Sequence, residues 1–129
     1  MSSHSSVTIY LVEDSAMIRD RLQRMFKQEK NLQVVGWSAS ASKAIEDLKS
    51  LGPNVVVIDI SLAEGDGFQV LDEVKRLQPK PLIIVCTNYA YLEFKARALA
   101  QGAQFFFDKS TEFEQILQAI HREFPELQD

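Results

Sequence analysis

Residues 54–67, NVVVIDISLAEGDG, are the clearest indication of the fold, because an unbroken apolar run ends on an acidic residue and opens into a loop with two glycines. The run from Val55 to Ile58 is β-branched throughout. It predicts a strand buried on both faces, as in the middle of a parallel sheet covered by helices. Asp59 follows at the carboxyl end of that strand, where open α/β sheets bind their ligands. The alternative is an Asp that only ends the strand and accepts hydrogen bonds from the loop.

The rest of the chain predicts four further strands alternating with five helices. The strands are expected over residues 7–12, 32–37, 82–86 and 104–107. The helices are expected over residues 16–29, 41–51, 66–77, 91–101 and 111–124. Right-handed crossovers between parallel strands place the helices on both faces of the sheet. We therefore predict an α/β fold, a flavodoxin-like doubly wound five-stranded parallel sheet with strand order 2-1-3-4-5.

Local signals set several helix ends. Gly52, followed by a proline, predicts the end of the second helix. Asp66 with Gln69 predicts a capped start for the third helix, and Thr111 with Glu114 predicts a capping box at the fifth.

The fourth helix is poor in large apolar residues. Its predicted inner face consists of Leu92, Ala96 and Leu99. Because so little apolar surface is available for burial, we expect this helix to be the least firmly packed of the five.

Length and composition indicate one globular domain. The chain has 129 residues, of which 46% are hydrophobic and 25% are charged. We assign residues 7–129 to that domain and residues 1–6, MSSHSS, to a disordered leader. The leader lacks the basic and apolar regions of a signal peptide, and the apolar runs are short for a bilayer. A cytoplasmic location without membrane contact is therefore expected.

The net charge and the positions of the His and Cys residues argue against two kinds of ligand, nucleic acid and transition metals. A net charge of −4 with dispersed Lys and Arg disfavours direct nucleic-acid binding. His4 and His121 lie far apart, and Cys86 lies in an apolar run, so the spacing of a zinc site is missing. We expect neither a transition metal nor a cysteine nucleophile.

Four of the five predicted strands end in polar residues that a core does not require. These residues are Glu13, Asp14, Asp59, Thr87 and Lys109. A parallel sheet brings them to one edge, where the carboxylates repel each other unless a cation is present. Magnesium suits such oxygens and keeps open positions for an anionic ligand. With Lys109 as a charge and Thr87 as a donor, the pattern predicts a phosphoryl site in which Asp59 attacks phosphorus.

These residues, in this order, resemble the response-regulator receiver domains of two-component signalling from about residue 7 to residue 124. The resemblance implies an acidic pair that binds Mg, an Asp that is phosphorylated and also binds Mg, a hydroxyl residue and a Lys. The matching positions are Glu13, Asp14, Asp59, Thr87 and Lys109.

The resemblance also implies a third protein ligand for Mg and an aromatic switch residue. The ligand is the main-chain carbonyl of Ser61. The switch residue is Phe106, which acts together with Thr87 at the end of the fourth strand. When that residue's hydroxyl turns toward a phosphoryl oxygen, the ring is expected to turn into the vacated space. The chain departs from the family pattern at Ala63 and Ser110, where a proline is common, and at Asn88, where a small residue is usual.

As a receiver, the chain is expected to be a phosphorylation-controlled signalling switch. It would take a phosphoryl group from the phosphohistidine of a histidine kinase or phosphotransfer protein and act on a downstream protein or output domain. The face formed by the fourth helix, fifth strand and fifth helix is the expected output surface and a candidate dimer contact. No enzyme activity is expected beyond self-phosphorylation and self-dephosphorylation.

Three alternatives are open. A haloacid-dehalogenase-like phosphatase also uses a strand-end Asp with Mg, but such enzymes have a second Asp where this chain has Ser61. A flavodoxin-type cofactor binder would cradle phosphate with main-chain amides, and Glu13 with Asp14 would repel it. The third alternative is a receiver-fold interaction module that acts without phosphorylation, and only a phosphorylation assay can exclude it.

Overall fold

The computed structural model describes residues 6–128, so the predicted disordered leader, apart from Ser6, lies outside the described residues. The strands are β1 (Val7–Val12), β2 (Leu32–Ser38), β3 (Val55–Ile58), β4 (Leu82–Thr87) and β5 (Phe105–Asp108). They form one parallel sheet in the order β2-β1-β3-β4-β5. The predicted doubly wound strand order is confirmed.

Helices follow the strands in alternation. They are α1 (Ala16–Lys27), α2 (Ala41–Leu51), α3 (Gly67–Val74), α4 (Leu92–Ala100) and α5 (Gln115–Glu123), and a 3₁₀ turn follows at Pro125–Gln128. None of the helices in residues 6–128 has the length and apolar character needed to cross a bilayer.

The core has two layers, one on each face of the sheet. One apolar cluster packs α2, α3 and α4 against the first face, and the other packs α1 and α5 against the second. All of β3 is buried, as predicted for a central strand. Because helices cover both faces, polar chemistry is left to the ends of the strands.

Two of the predicted helix ends are confirmed. α2 ends at Leu51 and is capped by Gly52, which adopts the left-handed conformation with φ 55°. α3 begins with a capping box, in which the Asp66 side chain accepts from the Gln69 N–H and the Gln69 side chain accepts from the Asp66 N–H. α3 is shorter than predicted, since it ends at Val74.

The predicted capping box of the fifth helix is wrong. α5 begins later, at Gln115, and its N-cap residue makes no side-chain capping bond. The segment before it is a turn held by Asp108, whose carboxylate accepts from the N–H and the hydroxyl of Ser110 at 2.9 and 2.7 Å. The Asp108 carbonyl accepts from the Glu112 N–H at 2.8 Å. These bonds hold the chain as a turn where the sequence pattern predicted the first turn of a helix.

The predicted inner face of α4 is also wrong. Leu92 and Leu99 are 83% and 42% exposed, whereas Ala98 is buried. Phe94 packs against the core and meets the ring of Phe68 edge to face, with ring centroids 5.6 Å apart. Packing of this aromatic pair decides which side of the helix faces the sheet. The expected light packing is confirmed, because Ala98 is the one buried residue of α4.

Candidate functional site

Carboxylates converge at the carboxyl edge of the sheet. β1 and β3 are parallel neighbours with Val12 opposite Ile58, so the residues that follow them emerge side by side. One oxygen from each of Glu13, Asp14 and Asp59 lies within 4.8 Å of the others. Glu13 and Asp59 are buried and Asp14 is exposed. The cluster therefore has an interior side and a side open to solvent.

Lys109 lies between the two buried carboxylates. Its Nζ is 2.7 Å from Asp59 Oδ2 and 2.9 Å from Glu13 Oε1, and the residue is 7% exposed. Burial alone would lower the pKa of Lys109, but the hydrogen bonds and charges of Asp59 and Glu13 outweigh it and raise that pKa. The ammonium group is therefore held charged at the centre of the site.

Glu13 has a raised pKa in this cluster. Burial, with the nearby Asp59 charge, raises the pKa of Glu13 to about 7, although Lys109 and the Ser15 N–H act to lower it. One ammonium thus leaves the three carboxylates with an excess of negative charge. The donor set consists of oxygens, some of them open to solvent, and such a set fits a hard divalent ion such as Mg.

Thr87 and Ser61 lie beside this cluster. Thr87 is fully buried at the end of β4, where its Oγ1 accepts from the Tyr89 N–H at 3.1 Å and its carbonyl accepts from the Lys109 N–H at 2.9 Å. The Ser61 N–H donates to Asp59 Oδ1 at 3.4 Å. The main chain of Ser61 therefore borders the Asp59 carboxylate, and its role as a metal ligand stays a prediction.

Phe106 lies in the apolar core. The residue is 8% exposed and belongs to the apolar cluster that also contains Ala98 and Ala103. In this conformation the ring is already inside, so any response through Phe106 starts from a buried side chain.

Two residues that shape the site were not predicted from the sequence. Arg19 donates from Nη1 to the Glu13 carbonyl at 2.9 Å, and no sequence pattern predicts this contact. Gly67 packs against the main chain of Asp59 so closely that a Cβ at this position would overlap it. The signal for Gly67 was its place as the second glycine of the loop after Asp59.

The two positions that lack the family's proline both use their main-chain N–H. The Ala63 N–H donates to the Ala39 carbonyl at 3.0 Å, and the Ser110 N–H donates to Asp108 Oδ1 at 2.9 Å. Proline has no N–H and could make neither bond. Asn88 is exposed, and nothing in the structure assigns it an effect.

Comparison with known proteins gives one family. A family model described as the response regulator receiver domain matches residues 9–121. A protein-glutamate methylesterase/protein-glutamine glutaminase of Desulfitobacterium hafniense (strain Y51) is 37% identical over 81 residues, which are 63% of this chain and 21% of that protein. The nitrate/nitrite response regulator protein NarL of Escherichia coli (strain K12) is 27% identical over 122 residues, 95% of this chain and 56% of NarL. The chain thus spans about a fifth of the first relative and little more than half of the second.

Solved structures show the same fold. A CheY-like response regulator receiver domain protein from Methanospirillum hungatei JF-1 is 24% identical with a TM-score of 0.84, covering 96% of this chain and 98% of that chain. The response regulator domain of Thermotoga maritima CheB is 22% identical with a TM-score of 0.79, covering 95% of this chain and 96% of that chain.

Proposed function

The chain belongs to the family of response regulator receiver domains, and on that basis we propose that Asp59 is the residue that accepts its phosphoryl group. As a receiver domain it is a phosphorylation-controlled signalling switch. One observation carries the assignment of Asp59. Lys109 Nζ lies 2.7 Å from its Oδ2, beside two further carboxylates. An acceptor carboxylate needs such a cation, because the incoming phosphoryl group is itself an anion.

In the proposed reaction an Asp59 oxygen attacks the phosphorus of a phosphohistidine on a histidine kinase or phosphotransfer protein. The new O–P bond makes an acyl phosphate, and the N–P bond breaks with its electron pair leaving on the imidazole. Lys109 stabilises charge on the phosphoryl oxygens. The Thr87 hydroxyl accepts from the Tyr89 N–H but still has its own hydrogen to donate to a phosphoryl oxygen.

The acidic cluster supports a role in holding Mg. Its ligands would be Glu13, Asp14, Asp59 and the main-chain carbonyl of Ser61. The bound ion would offset the repulsion among the carboxylates and the charge of the phosphoryl oxygens. After burial, the nearby Asp59 charge also raises the pKa of Glu13, and a bound cation would offset that charge.

The partners follow from this chemistry. A histidine kinase or phosphotransfer protein is the donor, which favours a cytoplasmic location, and a downstream protein or output domain is the acceptor of the signal. The net charge of −4 favours protein partners over direct contact with nucleic acid. We place the output contact, and a candidate dimer contact, on the face of α4, β5 and α5, where Leu92 and Leu99 are 83% and 42% exposed.

Activity on a separate substrate is not part of the proposal. Self-phosphorylation from a small phosphodonor and self-dephosphorylation are the reactions assigned to the chain. The methylesterase named above is matched over only 21% of its length, so its name describes the larger protein.

The assignment of Asp59 is tested by intact-mass measurement after incubation with acetyl phosphate and Mg. The parent chain should gain one phosphoryl group, and Asp59→Asn should gain none. Asp66→Asn is the matched control, since it makes the same chemical change nearby and Asn is an equally good N-cap residue. Labelling of Asp59→Asn at the level of the parent would refute the assignment.

A further inference from the structure

The loop that follows Asp59, residues 60–66, is joined to the loop between β2 and α2. The Ala63 N–H donates to the Ala39 carbonyl at 3.0 Å, and the Ala41 N–H donates to the Glu64 carbonyl at 2.8 Å. Between these bonds, Ser40 and Glu64 form an isolated parallel bridge. The two loops are therefore joined by main-chain hydrogen bonds beyond the ends of the strands.

The Glu64 side chain adds a second connection. Its Oε1 accepts from the Ser42 N–H at 3.1 Å and from the Ser42 hydroxyl at 2.8 Å. These bonds from Ser42 lower the pKa of Glu64, so the carboxylate is ionised at neutral pH. Ser42 lies in the first turn of α2, where main-chain N–H groups lack helical partners and a negative charge is favourable.

The tip of the loop also packs tightly on α2. Gly65 has φ 72°, and a Cβ there would lie 2.6 Å from the Ala41 Cβ. At its base the loop is closed by the Ser61 bridge to Asp66 and by the Gly67 N–H donating to the Ile60 carbonyl at 2.8 Å. The path of the main chain at Ser61 is thus fixed from the base of the loop and, through Glu64, from its tip.

The end of β2, which leads into the same loop, contacts the other side of the site. The Glu13 N–H donates to the Ser38 carbonyl at 3.0 Å. The Ser38 hydroxyl donates to the Ser40 carbonyl and accepts from the Ser40 N–H, each at 3.0 Å. The main chain of Glu13 and the loop of Ser61 are therefore held by one short segment, residues 38–42.

From these contacts we propose that Glu64 is a positioning residue of the phosphoryl site. Its carboxylate ties the acceptor loop to α2 and so fixes the Ser61 carbonyl relative to Asp59 and Glu13. The inference rests on the proposed function of that site. It assigns to Glu64 no contact with metal or phosphoryl group, only control of where a ligand carbonyl lies.

The test is a Mg titration in which the amide chemical shifts of residues 59–62 report binding. It is carried out at a temperature at which urea unfolding shows every variant to be folded. Glu64→Ala should weaken the apparent Mg affinity by about tenfold, as loss of a residue that orients a metal ligand commonly does. Glu64→Gln keeps the acceptor oxygen and should stay within about twofold of the parent. Glu46→Ala, which removes the same charge from an exposed position on α2, should bind Mg like the parent.

The variants separate positioning from charge. If Glu64→Gln lost as much affinity as Glu64→Ala, the negative charge of Glu64 and not its positioning of the loop would matter, and the proposal would be overturned. Parent-like affinity in a folded Glu64→Ala overturns the proposal. Should Glu64→Ala fail to fold, Ser42→Ala decides, because it removes one of the two bonds and should weaken Mg binding by about threefold. Parent-like affinity in Ser42→Ala would then overturn the proposal. Failure of the parent chain to bind Mg or to be labelled at Asp59 would instead overturn the proposed function.

Discussion

Tyr10 places a phenol inside the core of the sheet. The residue is fully buried in β1, and its hydroxyl donates to Asp47 Oδ2 at 2.6 Å, while Lys43 Nζ lies 2.8 Å from the same oxygen. Burial, and then Asp47, raise the pKa of Tyr10 well above its usual range. Gly36 makes room for the ring, since a Cβ there would lie 3.0 Å from it. The buried hydroxyl is therefore satisfied as long as it keeps its proton.

Tyr10→Phe should change the alkaline limb of the stability curve. A raised pKa means that Tyr10 stabilises the fold fully below the ordinary tyrosine pKa of about 10, and that this stability falls by about 1.4 kcal/mol per pH unit above it. The variant should lose about 1–2 kcal/mol at neutral pH, because a hydrogen bond to a carboxylate is removed. Its unfolding free energy should then fall less steeply between about pH 9 and about pH 11. Urea unfolding at several pH values measures both effects, and parallel curves would contradict this role of Tyr10.

Gly67→Ala should damage the site through the main chain of Asp59. The added Cβ would lie 2.8 Å from the Ile60 Cα and closer still to the Asp59 carbonyl, and main-chain atoms cannot move aside cheaply. We expect a loss of about 1–3 kcal/mol in unfolding free energy and slower labelling by acetyl phosphate. Gly52→Ala is the control, because its φ of 55° strains an Ala but no atom lies within 4 Å of the added Cβ. A destabilised Gly52→Ala should label at the parent rate, and equal slowing of both variants would indicate a general loss of stability.

At the scale of elements, the strands and the central helices follow from local pattern, whereas α4 and the start of α5 do not. The apolar run of β3 and the capping residues Asp66 and Gln69 act within a few positions of themselves, so the sequence predicts them. The face of α4 depends on the contact of Phe94 with Phe68, which is distant in sequence. The turn before α5 depends on the Asp108 side chain, which competes with the predicted cap.

α4 should open more easily than α3. α4 buries only Ala98, whereas α3 buries five residues, and the N-cap of α4 makes no side-chain bond. Native-state hydrogen exchange should give lower opening free energies for α4 amides than for α3 amides. Ala98→Gly should lower the α4 values by about 2 kcal/mol, through helix propensity and a lost buried methyl, and exposed Ala96→Gly by about 1 kcal/mol. Equal protection of the two helices in the parent would contradict this account of α4.

At the scale of the whole molecule, the site is assembled by the order of the strands. Parallel strands that alternate with helices must present their carboxyl ends at one edge, which is why Asp59 and the acidic pair before α1 could be placed from sequence. The sequence could not show that Lys109 would be buried between two carboxylates. It also could not show that Glu64 ties the loop after Asp59 to α2, because that contact joins a loop residue to a helix residue 22 positions earlier in the chain.

The same assembly suggests how a change at Asp59 could reach the face of α4 and β5. Thr87 ends β4 and is paired in register with Asp108 of β5, and Phe106 belongs to the same apolar cluster as Ala98 of α4. A phosphoryl oxygen that drew the Thr87 hydroxyl toward Asp59 would alter the packing beside β5. Moving such an equilibrium from about 1:99 to 99:1 requires about 5.5 kcal/mol of differential interaction.

The most direct measurement is the set of amide chemical shifts with and without beryllofluoride, a phosphoryl mimic, in the presence of Mg. We expect changes around residue 59 and large changes over residues 91–110 in the parent. In Thr87→Ala the changes around residue 59 should remain and those over residues 91–110 should be much smaller. In Asp59→Asn both should be absent. Equal changes over residues 91–110 in the parent and Thr87→Ala would contradict the route through Thr87, and an unchanged response in Asp59→Asn would contradict Asp59 as the phosphoryl acceptor.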